Sequence, residues 1–164
     1  MINENMGRDE FALVVANTFE EKFKDDSIKD KKKILALKIA DLFEKYKAKA
    51  IEFIKDDEKI EKLLIKVEEK IKDNPDLDEI VAYIPKMILL VRSYYKKEYT
   101  DINLIEIVFI VAAMIYFVTP LDIIPDFIPK VGHSDDNIVV NIVVKWCQDD
   151  INKYMAWLED KQKA

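Results

Sequence analysis

Glycine and proline are scarce: Gly7 and Gly132 are the two glycines, and there are five prolines in 164 residues. So little turn material excludes a sheet protein with many tight connections and favours long helices. Cysteine is scarcer still. With Cys147 alone no internal disulfide framework can form, which fits a reducing compartment. A basic surplus is also missing, since net charge is −6 and the pI is near 5.0, and this excludes a general nucleic-acid binder. Met1 to Arg8 is polar and no apolar core with a cleavage site comes after it, so no signal peptide is expected. The greasiest run, Ile107 to Val118, falls well short of the roughly 20 residues that cross a bilayer.

What is present is helical periodicity. Phe11, Val15, Phe19 and Phe23 recur every fourth residue and predict a short first helix. Ser27 with Asp30 resembles a capping box. Leu35, Ile39, Leu42, Tyr46, Ala50 and Phe53 then predict a long amphipathic helix with a lysine-rich opposite face. Asp56 and Asp57 suit the start of a third helix carrying Ile60, Leu64, Val67 and Ile71, which Asp73-Asn74-Pro75 ends. Ile80, Ile84, Ile88, Val91 and Tyr95 continue the pattern, with a kink or restart expected at Pro85. Asn103 with Glu106 reads as another capping box, opening an all-round apolar helix to Val118 that belongs at the centre of the domain. Val140, Val143, Cys147, Ile151, Tyr154 and Leu158 predict a last helix, although 138–144 is β-branched enough to resemble a strand. The expected fold is all-α, a compact bundle of five to six helices with a proline-rich kinked hairpin between the last two. Residues 1–26 form an amphipathic segment that packs on the rest or swings as an arm, and 27–164 form the domain.

Chemistry concentrates in residues 119–136. Three of the five prolines, one of the two glycines, the only histidine and four acids fall there. Thr119, Pro120 and Asp122 have the order of an N-cap, a first-turn proline and a capping acid, while Asp135 and Asp136 suit the positive end of the last helix. Asp126 lies between two prolines and has no helix to cap. A second reading has Asp122, Asp126, Asp135 and Asp136 converging on a divalent cation, since hard ions take several oxygen ligands. Their spacing is not that of a calcium loop. His133 beside Ser134 does not make a nucleophilic triad, because adjacency alone does not give that geometry.

Pro120-x-Asp122-x-x-Pro125-Asp126-x-x-Pro129, then Gly132 and Asp135-Asp136, resembles the signature of the YkvA family, a bacterial domain of unknown function. The resemblance covers about residues 84–146, with Tyr94 to Asn103 and Tyr116-Phe117 also similar. It implies no enzymatic activity or cofactor, and some family members look membrane-associated. Lys130, Ser134 and Asn137 replace residues that are often apolar in the family, and His133 stands where an aromatic or aliphatic residue is common. These changes make the hairpin wetter and weigh against membrane insertion.

The leading expectation is a non-catalytic helical binding or regulatory module in the bacterial cytoplasm, touching another protein, a second copy or the inner membrane face. Phe11, Phe19 and Phe23 would be its anchors where their stripe is exposed. The rivals are a metal-dependent, hydrolase-like enzyme on the acidic hairpin and a membrane-embedded hairpin with Ile107–Val118 and 138–144 as its arms.

Overall fold

The computed structural model describes residues 7–22, 29–73, 80–119 and 135–163, with side chains described except at 22, 29–31, 80–81 and 135–137. Among these residues the elements are six helices: α1 (Arg8–Lys22), α2 (Lys29–Ile54), α3 (Asp57–Asp73), α4 (Ile80–Tyr95), α5 (Leu104–Val118) and α6 (Asp135–Lys163). The all-α expectation holds. The β-branched opening of α6 is helical because Ile138, Val139, Val140, Ile142 and Val143 are all buried, and packing overrides their strand propensity. The proline-rich hairpin itself lies outside the described residues.

α5 is the axis of the bundle. Glu106, Ile107 and every residue from Phe109 to Phe117 are buried, and α2, α3, α4 and α6 all pack against it. An apolar sequence all round a helix requires neighbours all round, which explains why this helix is central. The surface of Ile107–Val118 and 138–144 is thereby covered by protein rather than offered to lipid. No described helix is long and apolar enough to cross a membrane.

Helix ends obey local chemistry in three places. Asp56 caps α3, its Oδ1 accepting from the N–H groups of Glu58 at 3.1 Å and Lys59 at 3.3 Å. Asn103 caps α5 from an extended conformation and accepts from Ile105 N–H at 3.2 Å. α4 closes with the paired bonds of a Schellman motif: Lys97 N–H to Tyr94 carbonyl at 3.0 Å and Glu98 N–H to Ser93 carbonyl at 2.9 Å. The left-handed residue this requires is Lys97, at φ 63°, where glycine is the usual choice.

Two sequence readings need correction, and a third residue has an added role. α4 is one helix through Pro85 rather than two, so the chain does not restart there; Pro85 is exposed, and its ring displaces no neighbouring helix. Phe43 rather than Leu42 is the buried residue at that turn of α2; it stacks on Phe11 at 4.3 Å, while Leu42 is only half-buried. Thr119 also ends α5, and the segment it was expected to cap lies outside the described residues. The Thr119 N–H and hydroxyl both turn back to the Ile115 carbonyl, at 3.1 and 2.6 Å.

Candidate interaction surface

The four carboxylates singled out by sequence are not brought together among the described residues. Asp122 and Asp126 lie outside them. Asp135 and Asp136 open α6, with their side chains likewise outside the description. Among the described residues no three His, Cys, Asp or Glu side chains group as a metal site would need.

The aromatic anchors face inward. Phe11 is buried between Phe43 of α2 and Trp146 of α6, edge-on to the latter at 5.9 Å, and Phe19 is buried further along α1. α1 therefore packs in cis on α2, fastened at one end by an ion pair of Arg8 with Asp41 and at the other by Lys32 with Glu20 at 3.7 Å. Phe23 lies outside the described residues. In this arrangement Phe11 and Phe19 are core, and they become anchors only if α1 leaves α2.

The two tryptophans also separate. Trp146 joins Phe11 and Phe109, while Trp157 packs against Tyr99 at 5.0 Å and Tyr154 at 5.7 Å. Tyr154 donates to the Leu89 carbonyl at 3.1 Å and shares a 2.7 Å bond with Ser93, so its hydroxyl is satisfied inside the bundle. Cys147 is fully buried; burial pushes its thiol well above the usual range, and Glu106 and Asp150 add to the effect. That is the setting of an inert core thiol.

Two polar arrangements were not legible in the sequence. Arg92 of α4 holds Glu61 of α3 through two bonds, at 2.7 and 3.3 Å, and reaches Glu68 at 3.2 Å. Tyr95 also donates to Glu61, and the Arg92 and Tyr95 bonds hold that carboxyl below its ordinary range. The other is Glu106, expected at the Asn103 cap but buried, with its Oε2 unpartnered among the described residues and its carboxyl pushed up to about 8, by burial first and then by Asp150.

The surface that stands out is the outer face of α2. The helix carries eight lysines against four acids in a chain whose net charge is −6. Two of those acids are matched, Asp41 by Arg8 and Glu44 by Lys47 at 2.6 Å. Lys33, Lys38 and Lys45 are exposed and make no ion pair among the described residues. Ile34 and Leu37 sit among them, 54% and 41% exposed, with Ile51 at 48% further along. Helical spacing puts Ile34, Leu37, Lys38, Lys45 and Ala48 on the side turned away from α5. Large exposed apolar side chains beside exposed lysines are the composition of an interfacial helix face. A clue was present in the sequence: Ile34 and Leu37 fall outside the stripe from Leu35 to Phe53.

Residues 106–142 match the model of a family described as a protein of unknown function (DUF1232). The match spans most of α5, the proline-acid segment and the first turns of α6. Over 77 residues the chain is 27% identical to a protein of Bacillus subtilis (strain 168) described as uncharacterized membrane protein YkvA, covering 47% of this chain and 73% of that protein. No solved structure matches the chain. The two matches support a YkvA-like family assignment, in agreement with the resemblance of the proline-acid segment.

Proposed function

Taking the chain as YkvA-like, we propose that it is a non-catalytic helical module that binds the surface of an anionic membrane through the outer face of α2. The observation that carries this reading is the combination of exposed Ile34 and Leu37 with Lys33, Lys38 and Lys45, which make no ion pair among the described residues, on one helix. Apolar side chains can enter the headgroup boundary while lysines meet lipid phosphates. Each lysine near such a surface contributes about 1 kcal/mol, so the three together are worth roughly 3 kcal/mol, or somewhat over 100-fold in affinity. The rest of the acidic protein would orient away from the lipid, leaving this face as the one turned toward it. A surface mode of binding also accommodates two facts: the Bacillus subtilis relative is described as a membrane protein, and no described helix of this chain is long and apolar enough to span.

The test is co-sedimentation with vesicles of phosphatidylcholine alone or mixed with phosphatidylglycerol. Binding should require the anionic lipid and weaken with salt, because exposed charges are screened beyond about 8 Å at physiological ionic strength. Replacing Lys33, Lys38 and Lys45 together by Gln should lower affinity by roughly 100-fold with unchanged melting. Replacing Ile34 and Leu37 by Ser should weaken binding at every salt concentration. Equal binding to both vesicle types, or a lysine-to-glutamine variant that binds like the parent, would refute the proposal.

A further inference from the structure

Asp41 stands in the middle of the α2 face assigned above to lipid. Ile34, Leu37, Lys38, Asp41, Lys45 and Ala48 recur at helical spacing, so they share one side of the helix, and Asp41 is exposed there. An acid in that position opposes an anionic surface. It also has Lys38 three residues before it and Lys45 four residues after it, the two spacings at which helix side chains meet. An acid placed four residues ahead of a lysine is the better-oriented pair, so α2 read alone joins Asp41 to Lys45.

The fold does otherwise. Arg8, the first residue of α1, grips Asp41 with two bonds: Nε donates to Oδ1, and Nη2 donates to Oδ2 at 3.4 Å. The Arg8 hydrogen bond holds the Asp41 carboxyl below its ordinary range, so the acid is ionised at neutral pH. Neither Lys38 nor Lys45 forms an ion pair with it among the described residues. Asp9 takes the Arg8 Nη1 at 2.9 Å, but Asp9 lies in the first turn of α1, where the positive helix end already suits an acid. The same dipole disfavours a cation at position 8, so the stability of α1 gives no reason for Arg8. Glu52 points in the direction of Asp41 but lies eleven residues on, roughly 16 Å along the axis and beyond the screening length.

We propose that Arg8 is a positioning residue for lipid binding: by taking Asp41 from α1, it leaves Lys38 and Lys45 to meet anionic lipid phosphates. The inference rests on the lipid-binding reading and adds to it a role for the docked first helix. Without Arg8, Asp41 turns to Lys45, and the face loses one lysine to its own acid. Arg8 acts through Asp41 and has no work to do once that acid is gone.

The experiment compares the intact chain in four forms, parent, Arg8→Gln, Asp41→Asn and the two together, by co-sedimentation with phosphatidylcholine vesicles containing phosphatidylglycerol. Arg8→Gln should bind about five-fold more weakly, the effect of one charge near such a surface. Its melting should change little, because an exposed ion pair contributes little to stability. Asp41→Asn should bind at least as tightly as the parent. The double variant should bind as the parent does, and since it also lacks Arg8, that restoration separates positioning from damage to α1. The proposal is overturned if Arg8→Gln binds like the parent, or if the double variant stays as weak as Arg8→Gln. A parent without preference for the anionic vesicles overturns the lipid reading and this role with it. A parent with that preference, beside an undiminished Arg8→Gln, overturns this role alone.

Discussion

Replacing Phe11 by Ala tests whether α1 is an integral part of the bundle. The ring is 2% exposed, stacked on Phe43 at 4.3 Å and edge-on to Trp146 at 5.9 Å, so it joins α1 to both α2 and α6. Truncating a buried phenylalanine to alanine costs about 3–5 kcal/mol, from lost transfer energy and the cavity left behind. Favourable ring pairing adds roughly 0.5–1.5 kcal/mol per pair beyond area burial, which places this site at the upper end of that range. For a chain of this length about 2–4 °C accompany each kcal/mol, so melting should fall by roughly 6–20 °C. Urea unfolding with amide hydrogen exchange is the assay. A midpoint that falls at constant slope means α1 unfolds with the rest; a reduced slope with early exchange of α1 amides means the helix undocks first. Leu13→Ala is the control. Leu13 is 63% exposed on the same helix, and its replacement should cost within about 0.5 kcal/mol. A Phe11→Ala loss no larger than that of Leu13→Ala, with α1 protection unchanged, would refute the packing argument.

Lys97→Gly should stabilise the protein by roughly 1 kcal/mol, because Lys97 sits at φ 63° and a left-handed residue with a Cβ carries a cost of about 1–2 kcal/mol. A urea midpoint that does not rise would contradict this. Cys147 should resist thiol-directed reagents in the native state and react at the rate of global unfolding, since it is fully buried with its thiol held protonated. Pulse labelling and then mass measurement reads the outcome, and rapid labelling of the folded chain would contradict it.

Much of the fold was legible because helices are specified locally. The spacing of Val140, Val143, Cys147, Ile151, Tyr154 and Leu158 marked a buried stripe; the first five are buried and Leu158 is half-buried. Asp56 and Asn103 marked helix starts, and both cap. An apolar helix without a polar face could only be central, as α5 is. In each case the signal and the structure lie within a few turns of one another.

The interaction surface was less legible, for an equally physical reason. Periodicity tells which face of a helix is apolar, but it does not tell which charges find partners on other helices. Asp41 and Arg8 are 33 residues apart, and only their pairing across α1 and α2 removes an acid from the lysine-rich face. Arg92 and Glu61 likewise meet only because α3 and α4 are neighbours.

The sequence by itself determined the succession of helices, their central member and the YkvA-like resemblance, because apolar spacing and capping chemistry act over short distances. Tertiary structure alone decided that Phe11 and Phe19 are core rather than anchors, and that Ile34 and Leu37 remain outside. It also decided that Glu106, expected at a helix start, is buried with its Oε2 unpartnered among the described residues. Burial, pairing and the protonation of a carboxyl depend on what the rest of the chain brings alongside, and one helix read alone cannot specify that.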